Sequence, residues 1–159
     1  MSRPSINMIV PSAEFRISQK VSFEPRYSQP FTPEEASHLE VDALVAELLR
    51  LINSITQLYS TQDQLKDFLG SKDGEQDPEG QQAAQEAIRE NDELIPRQSE
   101  RIAIISVALI NKVGGDMRVG PGCLKVEDVF ARYQAYAVDE KRRRWWEDDV
   151  FMEEVGLHL

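Results

Sequence analysis

The stretch that decides the fold is residues 41–69, VDALVAELLRLINSITQLYSTQDQLKDFL. Its apolar residues recur at alternating spacings of three and four, the pattern of a helix that packs one face against a partner. Gln62 stands where the repeat calls for another apolar residue. The pattern predicts a long amphipathic helix whose seam is formed by Val41, Leu44, Leu48, Leu51, Ile55, Leu58, Leu65 and Leu69.

A second helical pattern follows a break at residues 70–80 that is rich in glycine, aspartate and proline. Pro96 lies inside this pattern, so we expect a kink just before it. The repeat keeps its phase across the proline and therefore favours one continuous helix. The seam residues, seven apart, are Ile88, Ile95, Ile102 and Leu109. Two such helices joined by a short polar loop predict an all-α fold, a long antiparallel helical hairpin (coiled coil) over residues 33–113.

The register of the hairpin follows from the position of the loop. If the loop centre lies near residue 76, Gln62 of the first helix faces Asn91 of the second. A buried pair of amides commonly fixes the register of a coiled coil at some cost in stability. The alternative is that both amides point to solvent at the loop end.

The hairpin is flanked by two segments of different character. Thr32-Pro33-Glu34-Glu35 predicts a helix start with a capping box. Residues 1–32 before it are rich in proline and serine, so we expect a disordered tail. An edge strand, from the alternation of Ile17, Gln19, Val21 and Phe23, is the alternative, and an organelle presequence is a weaker one.

Residues 114–159 read as a loop followed by a C-terminal amphipathic helix. Basic residues 141–144, Trp145-Trp146 and acidic residues 147–149 follow one another. Tryptophan and arginine are favoured anchors at protein interfaces, so Trp145 and Trp146 are candidate partner-binding residues, or part of a self-paired helix. The apolar face of the helix is predicted at Val126, Val129, Phe130, Tyr133 and Ala137. A two-helix hairpin buries little core, so it should dimerise, pack this segment or expose a seam.

Composition and motifs exclude several classes of function. The 159 residues carry 28 acidic and 18 basic side chains, a net charge of −10. This balance disfavours direct binding to nucleic acid or to an anionic membrane. His38, His158 and the single cysteine, Cys123, give no recognisable metal site or nucleophile with its base. Residues 115–122 have the glycine spacing of a phosphate loop but lack its lysine and hydroxyl residue. We therefore expect a binding protein without enzymatic activity or cofactor, in a reducing compartment.

Two stretches resemble a known family: residues 48–65, LLRLINSITQLYSTQDQL, and residues 87–95, AIRENDELI, followed by the Glu100-Arg101-Ile102 run. Together they are similar to the fungal translation-machinery-associated proteins, also called ATPase-dedicated chaperones. The resemblance implies an assembly chaperone, cytoplasmic and also nuclear, that binds an ATPase subunit of the proteasome regulatory particle and assists base assembly, more so under stress. The family's name also points to the ribosome.

The resemblance also implies candidate partner-binding residues, because the polar positions of its motifs are present here. They are Asn53, Ser54, Arg89, Glu90 and Asn91. For Asn53 and Asn91 the alternative is that they stabilise the hairpin itself. For the protein as a whole the alternative function is a coiled-coil scaffold or tethering subunit that associates with itself through the seam.

Overall fold

The computed structural model describes residues 20–138 and Trp145. The chain is mainly helical, as predicted, with two long helices antiparallel to each other and a third helix near the C-terminus. In chain order the elements are α1 (Pro33–Ser37), α2 (Val41–Leu69), α3 (Lys72–Glu75), α4 (Pro78–Val113), β1 (Arg118–Val119), β2 (Leu124–Lys125) and α5 (Val126–Val138). In this part of the chain, none of the helices has an apolar run long enough to cross a membrane.

The tip of the hairpin is built by short-range capping. The Ser71 hydroxyl accepts a hydrogen bond from Gly74 N at 3.1 Å and so begins α3. The Asp77 carboxylate accepts one from Gly80 N at 2.9 Å and begins α4, with Pro78 at its first position. Gly74 is required at the tip, since a Cβ at this position would overlap the carbonyl of Phe68.

The first long helix begins later than its capping box predicts. The box itself is present: Glu35 N donates to Thr32 Oγ1 at 3.0 Å and Thr32 N to Glu35 Oε1 at 2.8 Å. However, α1 ends at Ser37, and α2 starts at Val41. The break lets α1 pack against α4, where Ala36 is buried and Lys112 Nζ donates to the Ser37 carbonyl at 2.8 Å.

Helix α4 is continuous through Pro96, as the phase of its repeat predicted. Its two halves differ sharply in burial. Among residues 78–94, Ala84 alone is buried, whereas between Gln98 and Leu109 every residue except Arg101 is buried. The second half of α4 is therefore the centre of the fold, surrounded by the rest of the chain.

The C-terminal segment packs on that central half. A two-stranded antiparallel ribbon pairs Arg118 with Lys125 and Val119 with Leu124, and α5 follows it directly. The predicted apolar face of α5 is confirmed, because four of its five residues are buried and Ala137 is half-buried; the four are Val126, Val129, Phe130 and Tyr133. The hairpin thus completes its core with its own C-terminal segment.

The prediction of a disordered tail is corrected for residues 20–31, which we name the strap. They run extended across the body, and their side chains alternate between exposed and half-buried. Val21 and Phe23 alternate with exposed residues, as the sequence predicted. The backbone of the strap, however, bonds side chains of α4 and not a neighbouring strand. Residues 1–19 of the predicted tail lie outside the described residues.

Candidate functional site

The hairpin divides into two parts according to what covers it. We name residues 60–97 the arm: the end of α2, α3 and the first half of α4. The other described residues form the body, in which the strap, α1 and α5 pack around the second half of α4. The 20 residues of α4 in the arm make it about 30 Å long, at about 1.5 Å per residue. The arm is thus a long two-helix surface that is mostly exposed.

The arm carries most of the net negative charge of the described chain. Ten acidic and four basic side chains lie between residues 60 and 97, a net charge of −6. Most of these acidic residues are exposed, including Glu90 and Glu93 on α4. Leu94 lies beside them on α4 and is itself exposed, and Leu58, Leu65 and Ile88 of the seam are half-buried. An acidic surface with a partly covered apolar seam suits a basic, amphipathic protein partner.

Arg89 is paired within the arm. Its guanidinium contacts the Glu86 carboxylate and donates to Glu93 Oε2 at 3.2 Å. The hydrogen bond to Glu86, followed by the attraction of the nearby carboxylates, raises the pKa of Arg89. Two acidic residues thus share one arginine on the outer face of α4, and the surface stays acidic.

Asn91 and Gln62 form the amide pair that the register predicts. Asn91 Nδ2 donates to Gln62 Oε1 at 3.1 Å, and Gln62 Nε2 donates to Asp92 Oδ1 at 2.8 Å. Gln62 is 2% exposed, so the pair is part of the seam. The reading in which Asn91 stabilises the hairpin is therefore supported by a direct contact.

Asn53 and Ser54 lie elsewhere on the molecule. Asn53 is exposed and Ser54 half-buried on α2, about 13 Å along the helix from Gln62. The five family-like residues therefore form two groups, one on the body and one on the arm. Glu90, on the arm, is exposed.

Trp145 lies inside the protein, in contact with the chain's own helices, and its role in binding a partner stays a prediction. It is 7% exposed, stacks on Tyr136 with ring centroids 5.6 Å apart, and donates from Nε1 to Ser99 Oγ at 3.0 Å. Its ring therefore anchors the C-terminal segment to α4 and α5. Trp146 lies outside the described residues.

Glu100 and Asn111 hold the strap on the body, a role that the sequence patterns did not assign to them. Both lie on α4 and bind the strap through its backbone. The sequence does show a carboxylate and an amide that flank residues 102–110, a run of small or apolar residues, and this pattern indicates such a role. Polar side chains in such a run need a partner, but the run does not identify it.

A second ionic cluster joins α2 to the strap. Arg50 donates to both Glu47 oxygens, at 2.7 and 2.6 Å, and this hydrogen bonding lowers the pKa of Glu47. Arg101 donates from Nε to Gln29 Oε1 at 2.9 Å. Burial lowers the pKa of Arg101, with Glu47 opposing this effect. The cluster holds the strap at the base of the arm.

Within residues 20–138 and at Trp145, His, Cys, Asp and Glu side chains do not gather in threes as metal ligands. Cys123 is exposed at the turn of the ribbon. The arm surface is the candidate functional site.

Comparison with known proteins identifies a family. The family model described as the TMA17 helical domain matches residues 34–113, which is 80 of the 159 residues. These residues run from the start of α1 to the end of α4 and include the whole arm. No curated protein and no solved structure matches the chain.

Proposed function

From the premise that the chain belongs to the TMA17 helical domain family, the family of the ATPase-dedicated proteasome assembly chaperone, we propose that it is itself such a chaperone. The family is a chaperone-type helical domain and not a known family of enzymes. The finer proposal is that the protein binds an ATPase subunit of the proteasome regulatory particle and assists assembly of the base. We place this activity in the cytoplasm and the nucleus.

The observation that carries the proposal is the acidic arm within the family-matched residues. A net charge of −6 on an exposed surface attracts a basic partner over about one Debye length, about 10 Å at 0.1 M salt. The half-buried seam residues of the arm, Leu65 and Ile88, then supply apolar contact at close range. We infer that the partner presents an amphipathic surface with basic flanks.

The body supplies a rigid base for the arm rather than a second binding surface of the same kind. Its central helix half is already covered by α1, α2, α5 and the strap. The seam of the body therefore needs no second copy of the chain for burial. We accordingly expect a monomer in sedimentation equilibrium at micromolar concentration, whereas a self-associating scaffold would sediment as a dimer or a larger oligomer.

The test is binding of the full-length protein to each purified ATPase subunit at about 0.05 M and about 0.5 M salt. We expect binding to one subunit that weakens at the higher salt. Glu90→Lys should weaken it about three- to tenfold, because the residue is exposed on the arm. Glu40→Lys is the matched control, since it makes the same charge change on the body.

Two results would contradict the proposal. One is that none of the ATPase subunits binds. The other is that both lysine variants lower affinity equally, which would remove the arm from the interface. Affinity purification of the tagged protein from resting and stressed cells provides the cellular check, with regulatory-particle ATPases expected in the absence of mature core particle.

A further inference from the structure

Hydrogen bonds hold the backbone of the strap to the body at two places. At one end, Val21 N donates to Asn111 Oδ1 at 2.8 Å, and Asn111 Nδ2 donates back to Val21 O at 3.0 Å. The side-chain amide thus bonds both backbone groups of one residue, as a residue of a neighbouring β-strand would. This contact does not depend on which side chain stands at position 21.

At the other end, a buried carboxylate takes consecutive backbone amides. Glu100 is 0% exposed; its Oε2 accepts from Arg26 N at 2.6 Å and its Oε1 from Tyr27 N at 3.0 Å. Gln29 Nε2 donates to the same Oε1 at 3.0 Å. A carboxylate buried this deeply needs such donors, so the groove must be occupied for the body to be stable.

Between the two ends, one aromatic side chain enters the groove. The ring of Phe23 meets Phe130 and Tyr133 of α5 edge to face, with centroid distances of 6.1 and 5.9 Å. These contacts favour an aromatic residue three positions before the amides that Glu100 binds. The groove therefore favours a segment with one aromatic ring and with backbone N–H and C=O groups that can form hydrogen bonds to α4.

The strap fits this groove loosely. None of residues 20–31 is buried, although Glu100, Phe130 and Tyr133 beneath them are. A cleft of about 410 Å³ lies beside the strap, lined by Phe23, Glu24, Arg26, Phe130 and Tyr133 among others. The strap is held by backbone hydrogen bonds, by the Gln29 side chain and by half-buried apolar side chains that include Phe23, and a segment that supplies the same contacts can be exchanged for it.

We propose that the groove between α4 and α5 is a peptide-binding site, in which the chain's own strap is exchangeable for an extended segment of a partner protein. The partner segment carries an aromatic residue and, three and four positions later, two residues other than proline, whose amides bind Glu100. This site lies on the body, and the proposal does not depend on the arm's partner.

The test uses the full-length chain and a labelled synthetic peptide of residues 20–32, KVSFEPRYSQPFT. The tethered strap competes at a high effective concentration, so the unmodified chain should bind the peptide weakly. Phe23→Ser in the chain weakens the strap and should raise peptide affinity about tenfold. Ser28→Ala, at an exposed strap position outside the lining of the cleft, is the control and should leave affinity unchanged.

The peptide itself supplies the second comparison. A peptide with Arg26→Pro lacks one of the two amides and should bind the Phe23→Ser chain at least about tenfold more weakly. If the Phe23→Ser chain does not fold, Gln29→Ala replaces it, because Gln29 bonds Glu100, Arg101 and the Arg97 carbonyl. Equal peptide binding by the unmodified and strap-weakened chains, or equal binding of the two peptides, would overturn the proposal.

Discussion

Asn91 and Gln62, 29 residues apart in sequence, form a hydrogen bond of 3.1 Å in the seam of the hairpin. The Gln62 carboxamide is satisfied on both sides, because its nitrogen also donates to Asp92 and to the Ile88 carbonyl. A shift of one helix along the other would bury this amide without partners. The pair therefore specifies the register of the arm.

Gln62→Ala should lower the free energy of unfolding by about 1–3 kcal/mol, because it removes these hydrogen bonds and leaves a cavity. Gln62→Leu should cost less, since it fills the seam and leaves Asn91 and Asp92 able to turn to water. Urea unfolding of both variants provides the measurement. An alanine variant as stable as the unmodified protein would show that the pair contributes nothing to the seam.

Trp145→Ala should lower the free energy of unfolding by about 3–5 kcal/mol, because a large buried ring is lost. Ser99→Ala should cost about 1–3 kcal/mol, since the indole N–H loses its acceptor. Ser99→Ala and Trp145→Phe both remove this hydrogen bond. The double variant should therefore lose less free energy of unfolding than the sum of the losses of these two single variants. Unfolding followed by far-ultraviolet circular dichroism measures the first two effects. The same measurement on Ser99→Ala, Trp145→Phe and the double variant tests the hydrogen bond. Losses that add strictly would exclude a hydrogen bond between Trp145 and Ser99.

Glu47 should contribute to stability at neutral pH and not in acid. Its pKa is lowered in the folded state by hydrogen bonding from Arg50, so the stabilisation is present above the unfolded pKa, about 4.3, and is lost as pH falls through the folded value. Because the Glu47 side chain is 32% exposed and Arg50 more so, we expect less than about 0.5 kcal/mol at pH 7. Unfolding of Glu47→Gln across this pH range tests the sign. A deficit that persists unchanged in strong acid would contradict the assignment, and Arg50→Gln should reproduce the same pH dependence.

Pro96→Ala should stabilise the junction of arm and body. Proline cannot donate the backbone hydrogen bond that its position in α4 requires, and alanine can. We expect a gain of about 1–3 kcal/mol, with slower hydrogen exchange in the turn that precedes residue 96. Alanine at Arg97, an exposed neighbour, is the control and should change exchange little. Faster exchange in the Pro96→Ala variant would show that the proline is needed for packing there.

The sequence patterns succeeded where the information is local and periodic. The repeat from Val41 to Leu69 predicted α2, the seven-residue repeat predicted α4 across Pro96, and the loop position predicted the Gln62–Asn91 pair. They failed at the start of α2, where the capping box of Thr32 belongs to α1 alone. A capping box marks where a helix begins but carries no information about how far it continues.

What the sequence determined by itself is the hairpin and its register, since apolar spacing sets which helix face is buried and matched amides set the alignment. What only the tertiary structure decided is where the strap and the segment around Trp145 pack. Trp145 finds Ser99 across 46 residues, and the strap finds Glu100 and Asn111 across 74 and 90 residues. A buried polar group must be paired, but only the folded chain brings into reach the partner that pairs it.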